Sequence, residues 1–187
     1  MSTRIPTKRY GFFVGSFLIT LLLYIDRVCI SSAKDSISGD LNLSDIEMGW
    51  VLSAFALGYA LFQVPGGALG DKYGVRKVMT SIMVLWSIFT AFTGAAWNYI
   101  SMLLARFIFG AGEAGAFPNI SRAAYSWVPL KERGIFQGIN FSGSRLGAAF
   151  ALPLVAYLID AWGWRAIFYF FGAIGIVCAA LFYFLFR

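Results

Sequence analysis

The sequence predicts an all-α membrane protein of six spanning helices, and three observations carry that prediction. Of the 187 residues, 59% are hydrophobic and only 13% are charged, with a mean hydropathy of +0.73, far from the balance of a soluble domain. The apolar residues gather in six runs of about 20 residues, the length that crosses a hydrocarbon core. The basic residues, which bring the net charge to +6, sit in short segments between the runs. They form no basic stripe and no nucleic-acid-binding motif, so nucleic acid is not expected as a partner.

The first span is 10–30. It follows a basic stretch, as the core of a signal peptide does, but it is too long for one and five more runs follow. It reads as an uncleaved helix. Within it stand Tyr24, Asp26 and Arg27. A charge at the centre of a membrane helix costs about 2.5–3.5 kcal/mol on the insertion scale, and such residues mark substrate or ion paths. Adjacent helical residues point about 100° apart, so Asp26 and Arg27 face different surroundings. The alternative to a functional role is a structural ion pair that fixes helix packing.

Segment 31–49 reads as the longest outer loop. Ser44, followed by Asp45 and Glu47, reads as a helix N-cap with acids in the first turn. The second span, 50–70, carries Tyr59 and Pro65; membrane helices tolerate proline where neighbours satisfy the backbone. The stretch after it, with Gly67, Gly70, Asp71, Lys72, Gly74, Arg76 and Lys77, reads as a tight cytoplasmic turn in which Asp71 can pair with a base. The third span is 78–97.

The fourth span, 99–125, carries Arg106, Glu113 and, near its inner end, Pro118. Arg106 and Glu113 are two helical turns apart and share a face. At 1.5 Å per residue, Arg106 lies roughly 10 Å from the outer side and Glu113 roughly 21 Å. Arg27 lies roughly 25 Å from the inner side. In a core about 30 Å thick, Arg27 and Arg106 come out at similar depth. The fifth span, 135–159, carries Ser144 and Arg145, with Arg145 roughly 17 Å in. The sixth is 164–186. Gly66 with Gly70, Gly143 with Gly147, and the cluster Gly110, Gly112 and Gly115 let helix backbones approach closely. Cys29 and Cys178 both fall in apolar runs, which favours packing over a disulfide or metal site.

Orientation follows from the loops. Arg4, Lys8, Arg9, Lys72, Arg76, Lys77, Arg122, Lys131, Arg133 and Arg187 fall on one side; Lys34 and Arg165 fall on the other. The basic-rich side is cytoplasmic and holds both termini.

Three intramembrane arginines against two carboxylates leave a positive interior that attracts an anion. Two guanidinium groups at one level suit a clamp on a carboxylate. Arg145 either joins that site or pairs with Glu113 or Asp26 as a gate. The chain has no histidine, so proton chemistry near neutral pH falls to Asp26 and Glu113. Protonating either one makes the interior more positive, which couples proton binding to anion binding. No nucleophile–base pair or metal set is visible, so neither an enzyme nor a cofactor is expected.

The stretch Gly67-Ala68-Leu69-Gly70-Asp71-Lys72-Tyr73-Gly74-Val75-Arg76-Lys77 resembles the signature between helices two and three of the major facilitator superfamily, in spacing, side and span number. Arg106 to Gly115 is similar to its proton-linked motif in helix four. Tyr24-Ile25-Asp26-Arg27, Gly112-Glu113-Ala114-Gly115-Ala116-Phe117-Pro118 and Trp127-Val128-Pro129 with Glu132-Arg133 look like the anion:cation symporters, which include carriers of hexonates, hexuronates and aldarates. The resemblance covers all six spans. It implies one half of a twelve-helix fold with three-plus-three inverted repeats, here 1–97 and 98–187, and a C-terminal six-helix half that is missing from this chain.

The resemblance further implies proton-coupled symport of a small organic anion across the cell inner membrane by alternating access, with sodium as the other candidate coupling ion. Arg27 and Arg106 would hold the substrate carboxylate, with Tyr24 and Tyr59 as polar lining and Ser144 and Arg145 on helix five. Asp26 and Glu113 would carry the protons. Gly67, Asp71, Gly74, Arg76 and Lys77 would form a cytoplasmic gating latch, with Asp71 as its ion-pair partner. Some sugar-acid carriers have a glutamine in the middle of helix five; Ser144-Arg145 stand there in this chain, which points to a different or more acidic substrate. The alternative is a half-size membrane module that does not transport alone and assembles with another half or carrier.

Overall fold

The computed structural model describes residues 8–186, with side chains from Tyr10 onward. Of the residues used above for orientation, Arg4, Arg187 and the side chains of Lys8 and Arg9 lie outside this range. The described chain is helical: α1 (Lys8–Ser32), α2 (Lys34–Leu41), α3 (Asp45–Tyr73), α4 (Val75–Gly94), α5 (Tyr99–Glu113), α6 (Ala116–Trp127), a 3-10 turn at Leu130–Glu132, and α7 (Arg133–Leu185). Among these residues, five stretches are long and apolar enough to cross a membrane, with α5 and α6 forming one of them.

Glycine decides where the longest helix folds back. Gly163 takes φ 78° and ψ 159°, which breaks α7 into arms 133–162 and 164–185. Gly74, at φ 86°, turns α3 into α4. A side chain at either position would strain the backbone. Each arm of α7, at 1.5 Å per residue, is about 30 Å long or more and spans a bilayer by itself. The expected fifth and sixth spans are these arms.

Two expectations are corrected. Segment 31–49 is not an open loop, because it holds α2, anchored by the buried Ile37 and ended by Asn42 in the left-handed conformation. An eight-residue helix buries one apolar residue and leaves no hydropathy signal. The fourth span is not one continuous helix, because it breaks at Ala114–Gly115 and restarts at Ala116. Pro118 is then the third residue of α6, where its missing N–H is not needed. Pro65, by contrast, stays inside an unbroken α3.

The N-terminus of α3 carries the expected cap, extended into a full capping box. Ser44 Oγ accepts from the Glu47 N–H at 3.3 Å, and Glu47 Oε2 accepts from the Ser44 N–H at 2.8 Å. The Ser44 N–H and, after it, the Ser44 hydroxyl, which donates to the same Glu47 Oε2 at 2.7 Å, hold the exposed Glu47 carboxyl below its usual range.

The helices pair chiefly in three contacts, with α4 also packing on α5. α1 lies on the first arm of α7, α4 on the second arm, and α3 on α5. Small residues set the distances. A Cβ at Gly143 would stand 2.8 Å from the Phe17 carbonyl, and one at Gly66 would stand 2.9 Å from the Gly115 Cα. Two apolar cores result. One holds Phe12, Leu23, Met83, Trp86, Phe109 and Phe136; the other holds Ile25, Cys29, Met48, Met102, Val155 and Phe168. They meet near Asp26 and Arg106, so the buried charges sit where the apolar packing is interrupted. Cys29 is buried, Cys178 is half-buried, and both thiols are free.

Candidate functional site

Helix geometry sends Asp26 and Arg27 in different directions, as adjacency on a helix requires. Asp26 points into the bundle and is 1% exposed. Its carboxylate faces the buried indole Nε1 of Trp86, the donor beside it, and the two fall short of full hydrogen-bond geometry. The charges acting on Asp26 are Glu113 and Arg106. A buried carboxylate left in this state is a high-energy group.

Arg27 packs against Tyr24 and Tyr59, two residues that line a cavity. Its guanidinium bonds to Glu113 Oε1, a residue 86 positions away on α5. Three rings surround it, with centroids 4.7 Å (Tyr24), 4.9 Å (Phe55) and 4.8 Å (Tyr59) from its Cζ. Aromatic faces stabilise a desolvated cation, and planar guanidinium suits them better than ammonium does. Glu113 is 1% exposed, and its second oxygen has no partner.

Arg106 is 2% exposed. Its Cζ lies 5.2 Å from the Phe55 ring and 4.6 Å from the Phe109 ring. Arg27 and Arg106 therefore flank a single phenyl group, which places them at one level of the bundle. They are not equivalent, because Arg27 is partly exposed and packs on Tyr24 and Tyr59 while Arg106 is fully buried.

The cavity has a volume of about 520 Å³. Tyr24, Tyr59, Gln63, Phe117, Pro118, Ser121, Gln137 and Phe141 line it. Phe117 stacks on Phe141 at 5.9 Å and meets Tyr24 edge-on at 6.3 Å, which ties α1, α6 and α7 into one wall. Gln137 Nε2 donates to Ser121 Oγ at 2.8 Å. A larger groove of about 720 Å³ lies between α3, α4 and α5, lined by residues such as Phe62, Leu69, Leu85 and Phe107. Its lining is apolar and distant in character from the charge cluster, so the smaller, polar cavity is the candidate site.

The two helix-five residues part company. Ser144 is 1% exposed, and its hydroxyl donates to the Phe141 carbonyl at 2.7 Å, so it does not line the cavity. Arg145 is exposed. Among the described residues it pairs with neither Glu113 nor Asp26.

The turn between α3 and α4 ties three elements together. Asp71 pairs with Arg122 of α6 at 2.9 Å. Arg76 Nε donates to the Tyr183 carbonyl at 2.8 Å, and its Cζ lies 4.2 Å from the Tyr183 ring. Asn119 Nδ2 donates to the Gly66 carbonyl at 2.9 Å. A Cβ at Gly67 would meet Pro118 at 3.0 Å. Lys77 instead lines the apolar groove. On the opposite side, Arg165 pairs with Asp40 at 2.8 Å and Lys34 with Asp45 at 3.4 Å.

Sequence reasoning missed Phe55, Gln63, Trp86, Ser121, Arg122 and Gln137. For the glutamines the signal was present: each is a polar residue inside an apolar run, and Gln63 stands one turn after Tyr59. For Phe55 and Trp86 no sequence signal separates them from other core aromatics.

The chain matches the Major Facilitator Superfamily over residues 16–187. It is 40% identical over 170 residues to a probable sulfoacetate transporter of Cupriavidus necator, which covers 91% of this chain and 40% of that protein. It is also 40% identical over 179 residues to a probable galactarate/D-glucarate transporter of Escherichia coli, covering 92% and 40%. A bacterial homologue of the human lysosomal transporter Spinster, solved inward-facing and unoccupied, superposes with a TM-score of 0.85 at 26% identity. That match covers 100% of this chain and 44% of the other. The chain thus spans about 40% of the length of the curated relatives it matches.

Proposed function

The chain belongs to the Major Facilitator Superfamily, and we propose that it carries a small organic anion, a sugar acid such as a hexonate, hexuronate or aldarate, by proton-coupled symport. The observation that carries this reading is the Arg27–Glu113 ion pair packed directly behind Tyr24 and Tyr59, two residues that line a polar cavity. Glu113 and a substrate carboxylate compete for the same guanidinium. When Glu113 takes a proton, its hold on Arg27 weakens and Arg27 becomes available to the anion. When the anion leaves, Glu113 reclaims Arg27 and the proton is shed. Proton and anion thereby bind together and leave together, which is the thermodynamic requirement of symport.

Asp26 is the second proton carrier in this reading, and Arg106 is the charge that answers it. Tyr24 and Tyr59 orient the substrate from the cavity wall, with Gln63, Ser121 and Gln137 available to its hydroxyls. Sodium could replace the proton at the same carboxylates. Both named relatives carry names of compounds with two acidic groups, which fits an anion-selective cavity.

A second six-helix half completes the cavity. Support comes from α3, of whose most apolar stretch only 11% is buried, and from the open side of the cavity. The three-plus-three repeat is supported by the helix pairing: the first span on the fifth mirrors the second on the fourth, and the third packs on the sixth. Residues 1–97 and 98–187 are then the two repeats, with both termini cytoplasmic. Asp71 with Arg122 and Arg76 with Tyr183 would hold the latch on that side.

The test is uptake of radiolabelled galactarate, galactonate and glucuronate into proteoliposomes holding the full-length protein, with and without an inward proton gradient. Gradient-driven accumulation of one of them is the expected result. No accumulation of any, with or without sodium, removes the proposal.

A further inference from the structure

We propose that Arg145 reads a second anionic group, so that the carrier selects doubly charged organic anions over singly charged ones; this rests on the carrier reading above. The position of Arg145 is the first argument. Gln137 and Phe141 of α7 line the cavity, and Arg145 continues their row, one helical turn beyond Phe141 and about 40° round the axis. Its neighbour Ser144 is buried, whereas Arg145 is exposed. A guanidinium facing lipid at this depth would be costly, and the cavity beside it is the polar alternative.

The second argument is that Arg145 is unspent. Arg27 is bonded to Glu113 and ringed by aromatics, and Arg106 is buried beside Asp26. Arg145 makes no ion pair among the described residues.

The third argument is charge. With Asp26 and Arg106 offsetting each other, a proton on Glu113 leaves Arg27 and Arg145 as two uncompensated positive charges. A dianion neutralises that site, whereas a monoanion leaves a net charge once the second half closes over the cavity and its dielectric falls, which is unfavourable.

Geometry allows both contacts at once. Gly143 packs on Phe17 and Thr20, and Gly147 packs on Leu21, so α1 and the first arm of α7 run in the same direction and Arg145 stands level with about residues 18–21. Arg27 is then about 9–14 Å further along the axis. With both guanidiniums extended sideways from their helices, an axial offset of that size leaves room for an extended chain of a few carbons with an acid at each end.

The experiment measures kcat/KM of the full-length protein for galactarate and galactonate, six-carbon acids that differ in one terminal carboxylate. The wild-type protein should favour galactarate at least tenfold. In Arg145→Gln that ratio should fall at least tenfold, mainly through KM for galactarate, and Arg145→Lys should recover part of it. A wild-type preference for galactonate, or a ratio unchanged in Arg145→Gln, overturns the inference and leaves the carrier reading intact. Wild-type protein that moves neither acid, nor any other organic anion, removes both. The wild-type preference is independent of whether either variant folds.

Discussion

Arg27 on α1 closes on Glu113 on α5, and the pair sits inside a ring of Tyr24, Phe55 and Tyr59. This contact joins the two helices that carry the buried charges, and it gives a proton and an anion one guanidinium to compete for.

Glu113→Gln removes the competitor and leaves the shape. Proton-driven accumulation should disappear, while exchange of internal for external anion should survive because no net proton movement is needed. Uphill uptake and counterflow measured in the same proteoliposomes separate the two. Retained uphill uptake would clear Glu113 of coupling.

Arg27→Lys keeps the charge and loses the planar fork, which matters both to a carboxylate and to the three aromatic faces. Transport should fall at least tenfold with most of the loss in KM. An unchanged KM would argue against a direct contact between Arg27 and substrate.

Arg106 acts from behind the wall, opposite Asp26. Arg106→Met alone removes a positive charge that acts on the buried Asp26 carboxylate and should lower stability, whereas Asp26→Asn with Arg106→Met should recover part of that loss. Thermal unfolding in detergent reads both. A double variant no better than the single one would mean that the two charges do not interact.

Asp71 and Arg122 are each more than half exposed, so their ion pair contributes only about 0–1 kcal/mol. Asp71→Asn should leave the melting temperature nearly unchanged and still alter the transport rate if the contact serves as a latch. Equal loss of stability and rate would make it a plain structural contact.

The capping box at α3 should respond to acid. The Glu47 carboxyl is held below its usual range by Ser44. Its contribution is therefore present above the ordinary glutamate value of about 4.3 and is lost as pH falls through the lower folded value. Amide exchange at residues 45–48 should rise over that window. Ser44→Ala keeps the backbone donor and loses the hydroxyl, so it should weaken this rise and cost about 0.5–2 kcal/mol at neutral pH, whereas Glu47→Gln should abolish the rise.

What the sequence by itself determined is what depends on near neighbours in the chain. Run length and hydropathy placed six spans to within a few residues, because hydrocarbon thickness sets helix length directly. Ser44 was legible as a cap because capping works over three residues. The opposed directions of Asp26 and Arg27 follow from helical periodicity alone. The glycine pairs announced close contacts without naming what they touch. The short α2 escaped because eight residues with one buried apolar side chain give no periodic signal, and the break at Ala114–Gly115 escaped because both residues keep helical backbone angles.

Only the tertiary structure decided which charges meet. Arg106 and Glu113 share a helix face, yet Glu113 bonds to Arg27 across 86 residues. Ser144 and Arg145 are adjacent, yet one is buried and the other open. A charge in an apolar bundle goes wherever a partner or a cavity lowers its desolvation cost, and that place is fixed by how the helices pack, which no local stretch of sequence encodes.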